Sequence, residues 1–464
     1  MIIIRKRWSI FWGFYSFRVI INLLFSTDMF LPRLSAFDPE TKSEGSIDPL
    51  GLVPIADRLS VRLVPGVRER MSHPRYLSMI AAGVAVCQEF QDERIAVDGI
   101  SSPLQVYEWH VVQALVKNFK NNGLVGLPGS EKASTAMKNN LPLNAARYLR
   151  VPSVFGFYGV YKTLARDIGI VQGEKLGEAG DQLTRIWEKE QKLAGYYSGI
   201  SGEGYSFKMK LKNAIEDGLS HARVERNWNW PFFTLLAEKM HPVKMGRQEA
   251  QTIFDLLTND KEQKRREIIA ALITYSEKYD LDKGIDESHF HSFLLKKVRP
   301  EIKDLLEAIQ TYEMFSRTLT NALESVLYRL SSQSNKATRE ELERLAEIKY
   351  AATSIPEQYL RCAEMLTKVK EESFFQSTFG RFNNLMTSSE FVEALLDHHQ
   401  AIQKKKPPFG KMPWLDRYQQ TTIILRPVYT RKKTLVKNDP NAYVYFYRSS
   451  SLLSFLKDLR KLNG

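Results

Sequence analysis

Several groups of residues in this chain are of the types from which catalytic or metal sites are made, and their spacing argues against most of them. Asp397-His398-His399 has the acid and imidazole make-up of a phosphoesterase triplet. It falls in a helical run without the strand-end aspartates that a two-metal centre needs, so a surface helix is expected there. Asp280, Asp282, Gly284 and Asp286 imitate the opening of a calcium loop, but His291 stands where the bidentate glutamate should be. His289 and His291 beside Asp286 and Glu287 would ligate a metal weakly at best, and a polar loop between helices is the expected reading. GLVGLPGSEKAST has the glycines of a phosphate loop without the gap before Gly-Lys-Ser/Thr that aims backbone donors, and Glu131 would repel phosphate. Cys87 and Cys362, the only cysteines, lie far apart without a metal-ligating companion. That excludes a disulfide framework and a Cys-rich zinc module, and it fits a reducing, cytoplasmic compartment. No nucleophile elbow or HExxH helix is found, so no enzyme, cofactor or metal is expected.

What remains is chemistry built from charge. The chain has 464 residues, with Lys+Arg 66 against Asp+Glu 53 and a net charge of +13. Residues 401–464 carry net +11 and the first 28 residues +3, which leaves the body near neutral. A neutral body with a basic end points to a localised polyanion contact, not to general coating. The basic tip of that end is Arg431, Lys432, Lys433 and Lys437, interleaved with Tyr418, Tyr429, Tyr443, Tyr445 and Tyr447 in the manner of sequence-tolerant nucleic-acid surfaces. Arg68, Arg70 and Arg75 form a second candidate patch.

The elements that must position these groups read as mainly helical. The hydrophobic fraction of 43% and charged fraction of 26% are those of a globular chain. Residues 1–28, basic and then apolar from Trp8 to Phe25, look like a short anchor, but Arg18 sits mid-run and Met29 opens an ordinary soluble beginning. An extension that is not native is the expectation, and no membrane partner is expected. A helix, the Pro65-Gly66 turn, a basic connector and a helix opening near His73-Pro74 come next, with Leu77, Ile80, Ala81, Val84 and Cys87 at helical spacing. Another helix is expected from Pro103 to about Asn121.

From residue 143 the order of signals is a short helix over 144–149, an amphipathic helix over 154–167, a hairpin turning at Gly173 and a helix from about Asp181. That is the order of a winged helix-turn-helix. Lys162 and Arg166 are its candidate nucleic-acid contacts, with Tyr158 and Tyr161 on the same exposed side. Residues 199–246 form an aromatic-rich connector expected to bury area at a junction. Residues 247–403 read as long antiparallel helices, with Leu305, Leu306, Ile309, Tyr312 and Phe315 on one face. Beyond them, RYQQTTIILRPVYT and AYVYFYR read as a strand pair before a short terminal helix. The expected organisation is an extension (1–28), a helical domain (29–140), a winged-helix-like module (141–198), the connector (199–246), a helical bundle (247–403) and a small β-containing basic region (404–464).

LGLVPIADRLSVRLVPGVRERMSHPRYLSMIAAG, YKTLARDIGIVQGEKLGEAGDQL and YFYRSSSLLSFLKDL together resemble uncharacterised helical accessory proteins encoded in bacterial anti-phage defence islands. The resemblance implies a non-catalytic or sensor subunit of an antiviral assembly, working beside protein partners from the same operon such as an ATPase or nuclease. It carries over no catalytic residue. Combined with the charge pattern, the leading expectation is a DNA-associated accessory subunit that docks partner proteins through its helices. A protein-only scaffold is the alternative, and a metal-dependent nuclease using Asp92, Glu93 and Asp98 is a further one.

Overall fold

The computed structural model describes residues 48–90, 94–119, 126–149, 155–406, 409–418, 421–431 and 442–462. The described residues are mainly helical, with five short strands. The 1–28 extension and the basic tip residues Lys432, Lys433 and Lys437 lie outside them. Among the described residues no helix is long and apolar enough to cross a membrane. The chain divides into two compact units made of discontinuous segments. The smaller comprises Met1–Pro54, Thr318–Leu360 and Ser377–Lys437, and the larger Ile55–Arg317, Arg361–Gln376 and Asn438–Gly464. The stretch 247–403 therefore contributes helices to both units.

In the larger unit, α1 (Val53–Leu63) leads through the Pro65-Gly66 turn to α2 (Tyr76–Cys87). Every residue of α2 from Tyr76 to Val86 is buried, as a helix without a polar face requires. Around it pack α3 (Pro103–Phe119), α5 (Phe157–Asp167), α6 (Glu178–Glu190) and α7 (Glu203–His221). Between α3 and α5 lies α4 (Ser130–Lys138). Gly83 lets α3 approach, because a Cβ there would fall 2.4 Å from the Tyr107 ring. Phe207, Trp228, Phe232 and Phe233 of the connector are buried within this unit: α8 (Phe232–Lys239) packs on α3, and Trp228 Nε1 donates to the Leu141 carbonyl at 3.0 Å. Helices α9 (Arg247–Thr258), α10 (Lys264–Ser276) and α11 (Glu287–Leu294) follow.

Helices α12 (Pro300–Ser332), α14 (Ala346–Lys368) and α15 (Glu372–Phe379) each contribute residues to both units. On α12 the expected face is the core face: Leu305, Leu306, Ile309, Tyr312 and Phe315 are all buried. The smaller unit adds β3 (Lys336–Thr338), α13 (Arg339–Glu343), α16 (Ser388–Lys404), β4 (Leu415–Tyr418) and β5 (Thr422–Leu425). Thr338 with Glu341 and Thr387 with Glu390 form reciprocal capping boxes that start α13 and α16.

Three expectations are corrected. The strand pair is not formed by the two aromatic runs: β5 lies between β3 and β4 in an antiparallel sheet. Residues 442–448 are irregular because side-chain carboxylates, not a neighbouring strand, take their N–H groups. The chain then closes with α17 (Ser449–Asp458). Residues 144–149 make a turn instead of a helix, with Asn144 accepting from the Arg147 and Tyr148 amides. And Asp397-His398-His399 is not wholly a surface feature: both histidines are 1% exposed. His398 Nε2 donates to the Leu50 carbonyl at 2.8 Å, and His399 Nδ1 to that of Pro49 at 2.9 Å. His399 Nε2 accepts from the Trp414 amide at 2.9 Å, and Asp397 pairs with Arg417. The two histidines fasten backbone, and Asp397 stays at the surface. The calcium-like loop is likewise engaged in local structure, Asp286 capping α11 and His289 Nδ1 lying 2.6 Å from the Tyr275 hydroxyl.

Candidate nucleic-acid interface

The cations expected on α5 share one helix face, since Lys162 and Arg166 are four residues apart. Arg166 is exposed and forms no ion pair with a described residue. The Lys162 ammonium lies 5.7 Å over the Tyr158 ring and is held below its ordinary pKa, first by partial burial and then by the Arg166 cation, with Glu174 opposing both. Behind α5 comes the hairpin of β1 (Val171–Gln172) and β2 (Lys175–Leu176). Its two-residue loop begins at Gly173, whose φ of 65° suits a tight hairpin turn. Lys175, at the start of the returning strand, joins the same basic surface. Sequence reasoning missed it, although its place beside the hairpin turn was a usable signal.

The second candidate patch meets the same helix. Arg68 Nη2 donates to Thr163 Oγ1 at 3.1 Å, and the Arg70 guanidinium lies 4.6 Å from the centre of the Phe155 ring just ahead of α5. Arg265 fastens the two segments from within. It is fully buried, donates to the Pro65 carbonyl at 2.7 Å and pairs with Asp167 at the end of α5. Helix α17 braces the connector. Ser451 donates to the carbonyls of Arg68 and Glu69, Ser454 to that of Ser72, and Asp458 meets His73 at 2.7 Å.

Arg75 is corrected. It is 0% exposed, its Nε donates to Glu249 Oε1 at 3.0 Å and its Nη1 to the His241 carbonyl, so it is a buried tie that cannot meet a phosphate. Tyr161 is also interior, accepting from the His73 amide at 3.0 Å and stacking on Phe455. Arg431, in the smaller unit, makes a two-pronged ion pair with Glu324 at 2.8 and 3.2 Å and lies 5.6 Å over Trp414. Its charge is therefore largely spent within the fold.

What fixes the start of α5 is Glu108 on α3. Its carboxylate accepts from the amides of Phe157 and Tyr158, each at 3.2 Å, and from the Tyr148 hydroxyl at 2.6 Å. It supplies from a distance the cap that Gly156 cannot, and a Cβ on Gly156 would fall 2.0 Å from its Oε1. Burial pushes the Glu108 carboxyl up to about 7, against the pull of those three donors. A glutamate inside the apolar run VYEWHVV was the signal for such a role.

Of the carboxylates considered for a nuclease, Asp92 and Glu93 lie outside the described residues. Asp98 is turned inward to its own loop, accepting from Ser101 Oγ at 2.7 Å and from the Ile100 and Ser101 amides. Among the described residues no three His, Cys, Asp or Glu side chains gather as a metal-binding group. Comparison of the chain with family models, with curated proteins and with solved structures returns no match.

Proposed function

We propose that the chain is a DNA-associated accessory protein that meets the phosphate backbone with α5 and the loop before α2. The observation that supports this is the gathering of Arg68, Arg70, Lys162, Arg166 and Lys175, from three separate stretches of sequence, around one helix. Cations that converge from distant positions onto a rigid element are how a protein builds a localised anionic contact. In this reading α5, the β1–β2 hairpin and α6 act as a winged-helix-like module, with α5 as the contact helix and the hairpin as wing. Membership of an antiviral assembly with an ATPase or nuclease partner rests on the sequence resemblance alone.

The test is DNA binding by fluorescence anisotropy across a salt series. Each phosphate contact contributes about 0.9 to the slope of log affinity against log salt, so the Lys162→Gln/Arg166→Gln variant should bind more weakly with a slope reduced by about two. An unchanged slope removes α5 from the interface. The protein-only scaffold remains the second reading because Ile95, Val97 and Ile100 are 55%, 72% and 71% exposed on one short loop. A nuclease-resistant complex that dissolves on Ile100→Asp would favour it.

A further inference from the structure

Between α2, α3, α5 and the β1–β2 hairpin lies a cleft of about 190 Å³ whose lining includes Lys162, Arg166 and Lys175. Sites for drug-sized ligands run from about 300 to 1,000 Å³, so this one has room for a single small unit. Its lining is of two kinds. Val84, Phe90, Leu104 and Tyr158 are apolar or aromatic. Lys162, Arg166 and Lys175 are cations against one exposed carboxylate, that of Glu174, and the Lys162 ammonium lies over the Tyr158 ring. Glu108 also borders the cleft, but both its oxygens are already bonded to Tyr148 and to the first amides of α5. A low-dielectric cleft with an excess of positive charge concentrates anions, and flat rings beside it suit a planar group.

We infer that this cleft takes one nucleotide bearing a phosphomonoester, its base against Tyr158 and Phe90 and its phosphate among Lys162, Arg166 and Lys175. A phosphomonoester carries close to two negative charges at neutral pH, which matches three cations better than the single charge of a backbone diester. The nucleotide is either the phosphorylated end of a strand lying on the basic surface or a free mononucleotide. The strand-end form rests on the reading proposed above, whereas the free form does not.

The experiment uses the full chain and two labelled single-stranded DNA oligonucleotides that differ only in a terminal phosphate, together with unlabelled AMP and inorganic phosphate. Binding of the phosphorylated strand about tenfold tighter or better, corresponding to about 1.4 kcal/mol, is the expected result, with AMP competing better than inorganic phosphate. Lys162→Gln/Arg166→Gln should abolish that preference, and Lys175→Gln, on the exposed hairpin, should reduce it without burdening the core. Arg68→Gln/Arg70→Gln should weaken both strands by the same factor and leave the ratio intact. Equal binding of the two strands, with no competition by AMP, overturns the cleft and leaves the surface reading standing. AMP binding by calorimetry with no strand binding at low salt upholds the cleft as a mononucleotide site and overturns the surface reading. Failure of every probe overturns both.

Discussion

The larger unit holds its irregular segment 442–448 and the first residue of α17 by offering carboxylates to backbone N–H groups, while the smaller unit holds 49–50 by offering imidazoles to backbone carbonyls. In the larger, Glu313 accepts from the Val444 amide and, at 2.6 Å, from the Tyr447 hydroxyl, and Glu287 accepts from the amides of Tyr447 and Ser449. In the smaller, His398 and His399 reach Leu50 and Pro49, and His399 also receives Trp414. The choice follows from which half of the peptide group is left over, since a buried backbone donor or acceptor without a partner is costly. It also sets opposite responses to protons. Burial pushes Glu287 and Glu313 up to about 7 and pushes His398 and His399 down to about 4.

Acidification should separate the two units most. Between pH 6.5 and 4 the unfolded chain protonates histidines that the folded smaller unit keeps neutral, so its stability is present above 6.5 and is lost as pH falls. At about 1.4 kcal/mol per tenfold change in proton affinity, the pair amounts to on the order of 7 kcal/mol, offset in part by Asp48, whose carboxyl burial holds above its ordinary value. In the larger unit Glu108, Glu287 and Glu313 act in the opposite sense. Their folded forms hold protons that the unfolded chain has released, so they cost stability as pH rises from about 4.5 to 7. His110, pushed down to about 4, and His291, to about 3, counter them, and the larger unit should respond weakly. Site-resolved hydrogen exchange, corrected for intrinsic rates, should show Trp414 losing protection before Tyr447 as pH falls. Simultaneous loss would erase the distinction.

Glu287→Ala/Glu313→Ala comes next, because it strands the amides of Val444, Tyr447 and Ser449 at about 1–3 kcal/mol each. Limited proteolysis should find residues 442–449 newly susceptible while the smaller unit keeps its protection. His399→Leu strands the Trp414 amide on the same scale, leaves the Pro49 carbonyl only the Gln403 side-chain amide at 3.4 Å, and should flatten the acid response of the smaller unit. An acid response unchanged in that variant would mean that the histidine is not its source. The smallest effect is expected of Gly156→Ala. The new methyl must displace the Glu108 carboxylate, for about 1–3 kcal/mol by chemical denaturation, and the helix keeps part of its cap through water.

Periodic apolar positions were easy to read: the core face of α12 falls where Leu305 and Ile309 predict, whereas α2, read as one-faced from Leu77 and Ile80, is buried on every side. The order of α5, hairpin and α6 was easy too, because Gly173 marks its turn. Basic residues were harder. Arg70 and Arg75 belong to the same short run and look alike in sequence, yet one stacks at the edge of α5 and the other is sealed against Glu249, a partner 174 residues away. AYVYFYR reads as a strand by its β-branched and aromatic content. It is not one, because the carboxylates that take its amides come from α11 and α12, and local propensity has no access to partners that remote.

The discontinuous make-up of the units bears on how the chain acquires its structure during synthesis. The larger unit receives residues 55–317, then 361–376, then 438–464, so its final segment is translated after all of the smaller unit. At about 5–20 residues per second, a ribosome needs on the order of ten seconds to pass from Arg317 to α17. For that interval Glu287 and Glu313 lack the amides of Val444, Tyr447 and Ser449 that they hold in the folded unit. The nascent larger unit is thus an open receptor for its own C-terminal segment, and a peptide spanning 442–462 supplied in trans would compete for the same seat.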